Sequence, residues 1–445
     1  MSTLWRNWSG SEECRPAAYE QPADTAAVQA LIKRCRSSGQ SLRVTGAAHS
    51  FTGLVPTDQT LVTLHKLAGL DQVSEDRKTA TVWAGTNLRT LGQLLHAEGL
   101  AQENLGDIDA QAIAGALSTG THGTGAGFGT LSTQIEGLEI VDGTGQVHWL
   151  DNHNKSDVFS AARIALGSFG LITRMKLRTD PAYRLEFVTG KESLNDVLIN
   201  FKNYLSRHRN YEFYWFPYSG MVQNKFSDKT DKPAQAHKAT EYLTDIVLEN
   251  YVFKLFSEIA RIFPSTCEKI SQISAKAVST SRKVNWSHQV YATARLVRFQ
   301  EMEYNIPREA FKDVVRLMEK RMARERFRVH FPIECRFVAA DDIPLSPAYG
   351  RESAYIAVHM YKGMPHREFF QAMEEIFLAH EGRPHWGKMH SLEATELSKR
   401  YPLWDNFQNL REQMDPDGIF LNPYLEKLFG VRKAAVQRPG LRVQV

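Results

Sequence analysis

Glu334-Cys335-Arg336 sets a carboxylate and a guanidinium two residues apart in an apolar stretch. On a strand, residues two apart share a face, so Glu334 and Arg336 project together while Ile333, Cys335 and Phe337 face the other way. Such a pair can be a structural salt bridge. It can also hold substrate hydroxyls and steady the negative charge that forms beside them. A second group is His385-Trp386-Gly387-Lys388. Taken alone, Lys388 reads as a surface lysine, and His385 with His390 matches no familiar metal spacing, so no metal is expected. His359 shares a strand face with Tyr355 and Ala357, where the default is a core histidine with its hydrogen bonds satisfied.

Further toward the N-terminus, an apolar strand over 42–44 runs into small residues and then presents His49. The segment is Val44-Thr45-Gly46-Ala47-Ala48-His49-Ser50-Phe51. Small residues let backbone N–H groups approach a bound group closely. The imidazole can be a nucleophile, a base, a ligand or an attachment point, or it can cap a turn. The run from Ile113 to Gly127, containing Gly115, Ser118, Gly120, Thr121, His122, Gly123 and Thr124, is too small to fill a core. It can wrap a phosphate with N–H and hydroxyl donors, or be a flexible glycine loop. It is neither a P-loop nor a G-x-G-x-x-G fingerprint. Two such loops in one region favour a large phosphate-bearing cofactor.

The elements that must position these residues follow from periodicity. Helices are expected over 25–36, 88–96, 158–166, 194–205, 241–263 and 308–324. Strands are expected over 42–44, 61–63, 79–82 and 171–177, with a hairpin of 135–141 and 147–150 around Asp142-Gly143-Thr144-Gly145. After Thr179-Asp180-Pro181, strands over 184–188, 211–216, 327–331, 334–339 and 355–360 alternate as a half-buried sheet would, and the charged run 225–238 reads as a loop. The pattern is α+β. It divides into residues 1–180 as two small subdomains, 181–414 as a substrate or cap domain, 415–430 returning to the first domain, and a loose basic tail over 431–445.

Composition narrows the classes. The 445 residues are enough for two or three domains. A net charge of +4 is too mild to argue for nucleic acid. Cys14, Cys35, Cys267 and Cys335 lack C-x-x-C spacing and fit a reducing compartment. The stretch Tyr242 to Phe263 is broken by five charged residues and does not read as a membrane span. It is expected to pack on its own domain, with a peripheral amphipathic contact as the alternative. No signal peptide is apparent in the first residues, and a cytoplasmic monomer or small homo-oligomer is expected.

Taken together, the segments resemble the vanillyl-alcohol-oxidase-type flavoproteins. Within these the chain is similar to the aldonolactone (L-gulonolactone and D-arabinonolactone) oxidases, with alditol oxidase features. The resemblance rests on Trp5-Arg6-Asn7-Trp8-Ser9-Gly10, Glu103-Asn104-Leu105-Gly106, Gly120 to Gly125, Trp215-Phe216-Pro217, Ile333 to Phe337, Arg383 to Lys388 and Leu421 to Glu426. It implies a two-subdomain PCMH-type FAD-binding domain plus an α+β cap domain with an antiparallel sheet. It implies FAD attached covalently through His49, with the 44–51 segment, Gly106, Asp107, Gly115, Ser118, Gly120 to Thr124, Gly170, Ile172 and His385 at the cofactor. It also places Glu334, Arg336, Lys388 and His359 at the reacting centre, and Asp107 and Tyr361 among the substrate contacts. The implied activity is oxidation of an aldono-1,4-lactone, with hydride passing to flavin and electrons on to oxygen as hydrogen peroxide.

Two departures from the aldonolactone pattern keep other substrates open. His359 matches a histidine of alditol oxidases, and Asp107 stands where relatives carry small or hydroxyl residues. A primary alcohol on a polyol, sugar or nucleoside is the alternative substrate, and a non-oxygen acceptor the alternative electron sink. A flavin-free carbohydrate-binding protein is the non-enzymatic alternative.

Overall fold

The computed structural model describes residues 4–235, 249–291 and 297–431. The N-terminal half is built from two small units. In the first, strands Ala18–Glu20, Thr60–Thr63 and Leu42–Thr45 pair in parallel, with Thr60–Thr63 in the centre. Helix Thr25–Ser37 buries Val28, Leu31, Ile32 and Cys35 in the core, and Asp24 caps its first turn. The second unit is a five-stranded antiparallel sheet ordered Val147–Asp151, Ile135–Val141, Leu171–Arg178, Thr79–Trp83, Leu70–Val73. The expected hairpin forms its edge, with Val147 opposite Val141.

The remaining chain lays down one eight-stranded antiparallel sheet. Its strands are β1 (Arg184–Ser193), β2 (Asn210–Phe216), β3 (Met221–Thr230), β4 (Ser281–Trp286), β5 (Phe299–Pro307), β6 (Ile333–Val338), β7 (Ser353–Tyr361) and β8 (Arg383–Pro384). In space the order is β4-β1-β3-β2-β6-β7-β5-β8. Helices Leu194–Arg207, Phe311–Glu325 and Arg367–Ala379 bury apolar stripes in the same core as the sheet. The architecture is α+β, as the sequence pattern indicates.

The chain then returns to the first unit. Leu42 N–H donates to the Ile419 carbonyl, and Asn422 Nδ2 donates to the carbonyls of Gly53 and Pro56. Buried Arg43 donates to the carbonyls of Leu54, Leu166, Gly167 and Phe420.

Three expected elements differ. The charged run from Lys225 is strand as far as Thr230, because β3 lies between β1 and β2 and its alternate residues find partners, Lys225 with Glu212 among them. Residues 236–238 of that run lie outside the described residues. The 327–331 segment forms no strand, and its apolar side chains pack irregularly, Val329 and Phe331 being buried. The helix expected over 158–166 is instead Ser156–Ala162, and Leu166 adopts a positive φ of 55°.

Of the 241–263 helix, residues 241–248 lie outside the described residues and Glu249–Ile262 is helical. One face, with Phe253, Phe256 and Ala260, packs on the core, as expected. The opposite side leaves Tyr251, Leu255, Ile262 and Phe263 exposed. No helix among the described residues is long and apolar enough to cross a membrane.

Candidate active site

Two cavities meet at His49. The larger, about 310 Å³, is walled by Val44 to Ser50, Ala84, Gly85, Ala112, Gly115, Ser118, Gly170 and Ile172. These are mostly small residues, so much of the wall is backbone. The strand Leu42–Thr45 delivers the segment, and Ala48 takes a left-handed φ of 57° just before His49. The Trp8 N–H donates to the Ala48 carbonyl at 2.8 Å, and the Trp8 ring stacks on the His49 ring at 5.6 Å. Burial, reinforced by the nearby Lys388 ammonium, lowers His49 to about 4, so the imidazole is neutral at pH 7.

The second cavity, about 70 Å³, is a cleft with a different lining. His49 and Ser50 belong to both. β6 supplies Glu334 and Arg336, β7 supplies His359, and β5 supplies Glu301 and Glu303. Phe51, Gly106, Asp107, Thr121, His122, His385 and Lys388 complete it from loops.

The charges in the cleft are paired. Arg336 contacts Glu334 at 2.5 Å, Asp107 at 3.1 Å and Glu212 at 3.2 Å. Burial opposes its charge, but these three carboxylates outweigh burial and hold it firmly protonated. Lys388 bonds Glu301, which also lies 3.5 Å from His359 Nε2. Burial resists ionisation of Glu301, yet Lys388 and His359 bring it down to about 2. His122 stacks on Tyr355 at 3.6 Å and sets Nε2 3.2 Å from Glu303. Burial likewise resists ionisation of Glu303, and His122 draws it well below the usual range. Burial drives His385 down to about 3, and its Nδ1 accepts the Gly387 N–H at 3.0 Å.

A profile of the D-arabinono-1,4-lactone oxidase family matches residues 175–428. An FAD-binding domain profile matches residues 16–151. This chain belongs to the D-arabinono-1,4-lactone oxidase family. It is 36% identical over 430 residues to the L-gulono-1,4-lactone dehydrogenase of Mycobacterium tuberculosis, covering 97% of this chain and 100% of that protein. It is 31% identical to the L-gulonolactone oxidase of Mus musculus, covering 96% and 98%. In fold it is similar to a solvent-stable cholesterol oxidase, with a TM-score of 0.83 at 17% identity and coverage of 96% and 97%.

The larger cavity suits the FAD that such a domain binds. At Gly115 an added Cβ would meet nothing within 4 Å, so the wall is open there. At Gly46 it would meet Ala112 at 3.1 Å, so the wall is close-packed behind that point. Small walls of backbone N–H groups are what a dinucleotide with two phosphates requires.

Four residues expected at the site do not line either cavity. Gly120 has a φ of 70° and backs onto Ile164. Thr124 donates to the Tyr211 carbonyl and accepts the Phe337 N–H, tying its loop to the large sheet. Gly123 packs against the Leu105 carbonyl, and it shares with Thr124 a smaller side cavity. Tyr361 bonds Glu258 of the Glu249–Ile262 helix, which turns its hydroxyl out of the cleft.

Conversely, Glu301, Glu303, Glu212 and Tyr214 are at the site without having been expected there. Glu301 and Glu303 alternate with Met302, Tyr304 and Ile306, a strand signature that was available in the sequence.

Proposed function

We propose that this protein is an FAD-linked oxidoreductase of aldono-1,4-lactones of the L-gulono, L-galactono or D-arabinono type, acting on the hydroxyl beside the lactone carbonyl. The carrying observation is that Glu334, Arg336 and Lys388 converge in a cleft that opens onto His49. When bound, FAD supplies the acceptor for the substrate hydride. His49 is the proposed covalent tether, through a ring nitrogen to the flavin 8α-methyl carbon. Its neutral imidazole has the lone pair that such a bond requires.

Glu334 orients the reacting hydroxyls and takes the hydroxyl proton. Lys388, already paired with Glu301, acts as a fixed cation rather than a free base. Arg336 is matched by three carboxylates, so its first role is to hold Glu334 and Asp107 in place. Any charge it lends a developing anion is what those carboxylates leave over. This paired arrangement leaves oriented polar groups facing the ligand.

Dioxygen is the proposed electron acceptor, with hydrogen peroxide as product. A Cβ at Gly106 would come 2.9 Å from the His122 carbonyl, so close packing favours glycine there. A primary alcohol on a polyol, sugar or nucleoside is the second substrate reading, favoured by the presence of both His359 and Asp107 in the cleft.

The purified protein is expected to be yellow and to keep its flavin after acid precipitation, whereas His49→Ala releases it. Lactones, polyols and nucleosides assayed in air for peroxide, and anaerobically with a dye acceptor, separate the readings. Turnover with dye but not with air would make the protein a dehydrogenase. Colourless protein inert to every substrate would refute the proposal.

A further inference from the structure

Behind the cleft lies a side cavity of about 40 Å³, bounded in part by Asn210, Glu212, Lys225, Ser227 and Tyr291. Among the described residues, Asp107 alone lines both spaces. Glu334 and Arg336 stand on the cleft side, Glu212 and Lys225 on the other. Tyr214 bridges the partition: its hydroxyl lies 2.6 Å from Glu334 Oε1 and 3.1 Å from Asp107 Oδ2. Carboxylate oxygens of Asp107, Glu212 and Glu334 all lie within 4.8 Å of one another.

A phenol has one proton, and here it faces two carboxylates. It serves both only when one of them carries a proton of its own. Carboxylates this close repel one another when all are ionised, and a proton shared among them relieves that repulsion. Burial and the neighbouring Asp107 raise Glu212, in keeping with a proton held on that side.

We propose that Tyr214 and Asp107 form a proton exit that carries the substrate hydroxyl proton from Glu334 into the side cavity. This rests on the alcohol oxidation proposed above. There the C–H electron pair leaves as hydride to FAD, the O–H pair becomes the new C=O bond, and the proton goes to Glu334. Glu334 then protonates the Tyr214 oxygen while the original Tyr214 proton passes to Asp107. Glu334 returns to carboxylate and Tyr214 to phenol. Asp107 releases the proton on its other side, beside Glu212 and Lys225. Lys388 cannot substitute, because its ammonium is held by Glu301 across the cleft.

The test uses flavin-loaded protein. Tyr214→Phe is expected to lower kcat at least tenfold with KM within about twofold, since positioned proton transfer contributes about 10²–10⁴ in rate. It should also shift the pH profile of kcat. Asp107→Ala is expected to lose turnover that formate restores with saturation, a response that a purely structural aspartate does not give. Without substrate, infrared difference spectra should show a protonated carboxyl at neutral pH that moves in Tyr214→Phe and disappears in Glu212→Gln. An unchanged kcat and pH profile in Tyr214→Phe, or no formate rescue, overturns the exit. If the wild type oxidises no alcohol, the proposed function fails. The infrared arm still judges the relay on its own, and a carboxyl band indifferent to Tyr214→Phe overturns it.

Discussion

The two cavities that meet at His49 are built on opposite principles. The larger is walled by glycine, alanine and backbone, with few charges. The cleft beside it is walled by long charged side chains from three neighbouring strands, with Arg336 and Lys388 each held by carboxylates. A wall of backbone is set by the fold and tolerates little added volume. A wall of ion pairs is set by mutual neutralisation, so removing one member leaves its partner buried and unmatched. The first construction suits a resident cofactor of fixed shape, the second a substrate whose hydroxyls must be ordered one by one.

This contrast can be broken most sharply at Lys388. Lys388→Met should cost about 3–5 kcal/mol in chemical denaturation, the penalty for leaving a buried carboxylate unpaired. Adding Glu301→Gln should recover most of the loss. If the single variant is as stable as wild type, the cleft is not held by paired charges.

Next comes Glu334→Gln, which keeps shape and removes charge. Turnover should fall by about 10²–10³ while the melting temperature changes little. Rapid-mixing measurement of flavin reduction checks it, and a wild-type rate would put the reacting centre elsewhere.

Acid should act on both regions. His49, His330 and His390 are lowered to about 4 and His385 to about 3, each chiefly by burial. Their ordinary value is 6.5, so between pH 6.5 and about 3 the unfolded chain binds protons that the native chain refuses. Stability of the flavin-free protein should therefore fall steadily as pH drops through that window and be unaffected by these groups above it. Melting curves from pH 8 to 4 test this, and a flat profile would contradict the burial of these rings.

The smallest effect lies in the cofactor wall. Gly115→Ala meets no neighbouring atom and sits in a helix, so it should stabilise the flavin-free protein by about 0.5–1 kcal/mol. The same methyl should reduce flavin content, read as the ratio of flavin to protein absorbance. Full flavin content would show that the wall has slack at this point.

The same contrast explains what could be read from the chain. The larger cavity is walled by short contiguous runs, so a strand running into Thr45-Gly46-Ala47-Ala48-His49 pointed to one of them. The cleft is assembled across the sheet, where Glu334 on β6 meets Tyr214 on β2 and Lys388 meets Glu301 on β5. Spacing alone revealed the partners that share a strand, Glu334 with Arg336, but not those brought together by pairing. β3 was misread because its charges looked solvated, and only a neighbouring strand supplies Glu212 to Lys225. The resemblance implied Tyr361 at the substrate, yet a helix distant in sequence takes its hydroxyl.

Arg43 gives the molecule an order of assembly. It lines the cofactor cavity, and its guanidinium is satisfied by carbonyls of residues 54, 166, 167 and 420. During synthesis the first three acceptors are made well before the last. Until then a buried cation lacks one of its acceptors, and the strand beside it lacks Ile419 at its edge. The wall of this cavity is thus complete only once residue 420 is in place, and chains truncated before it are expected to retain no flavin.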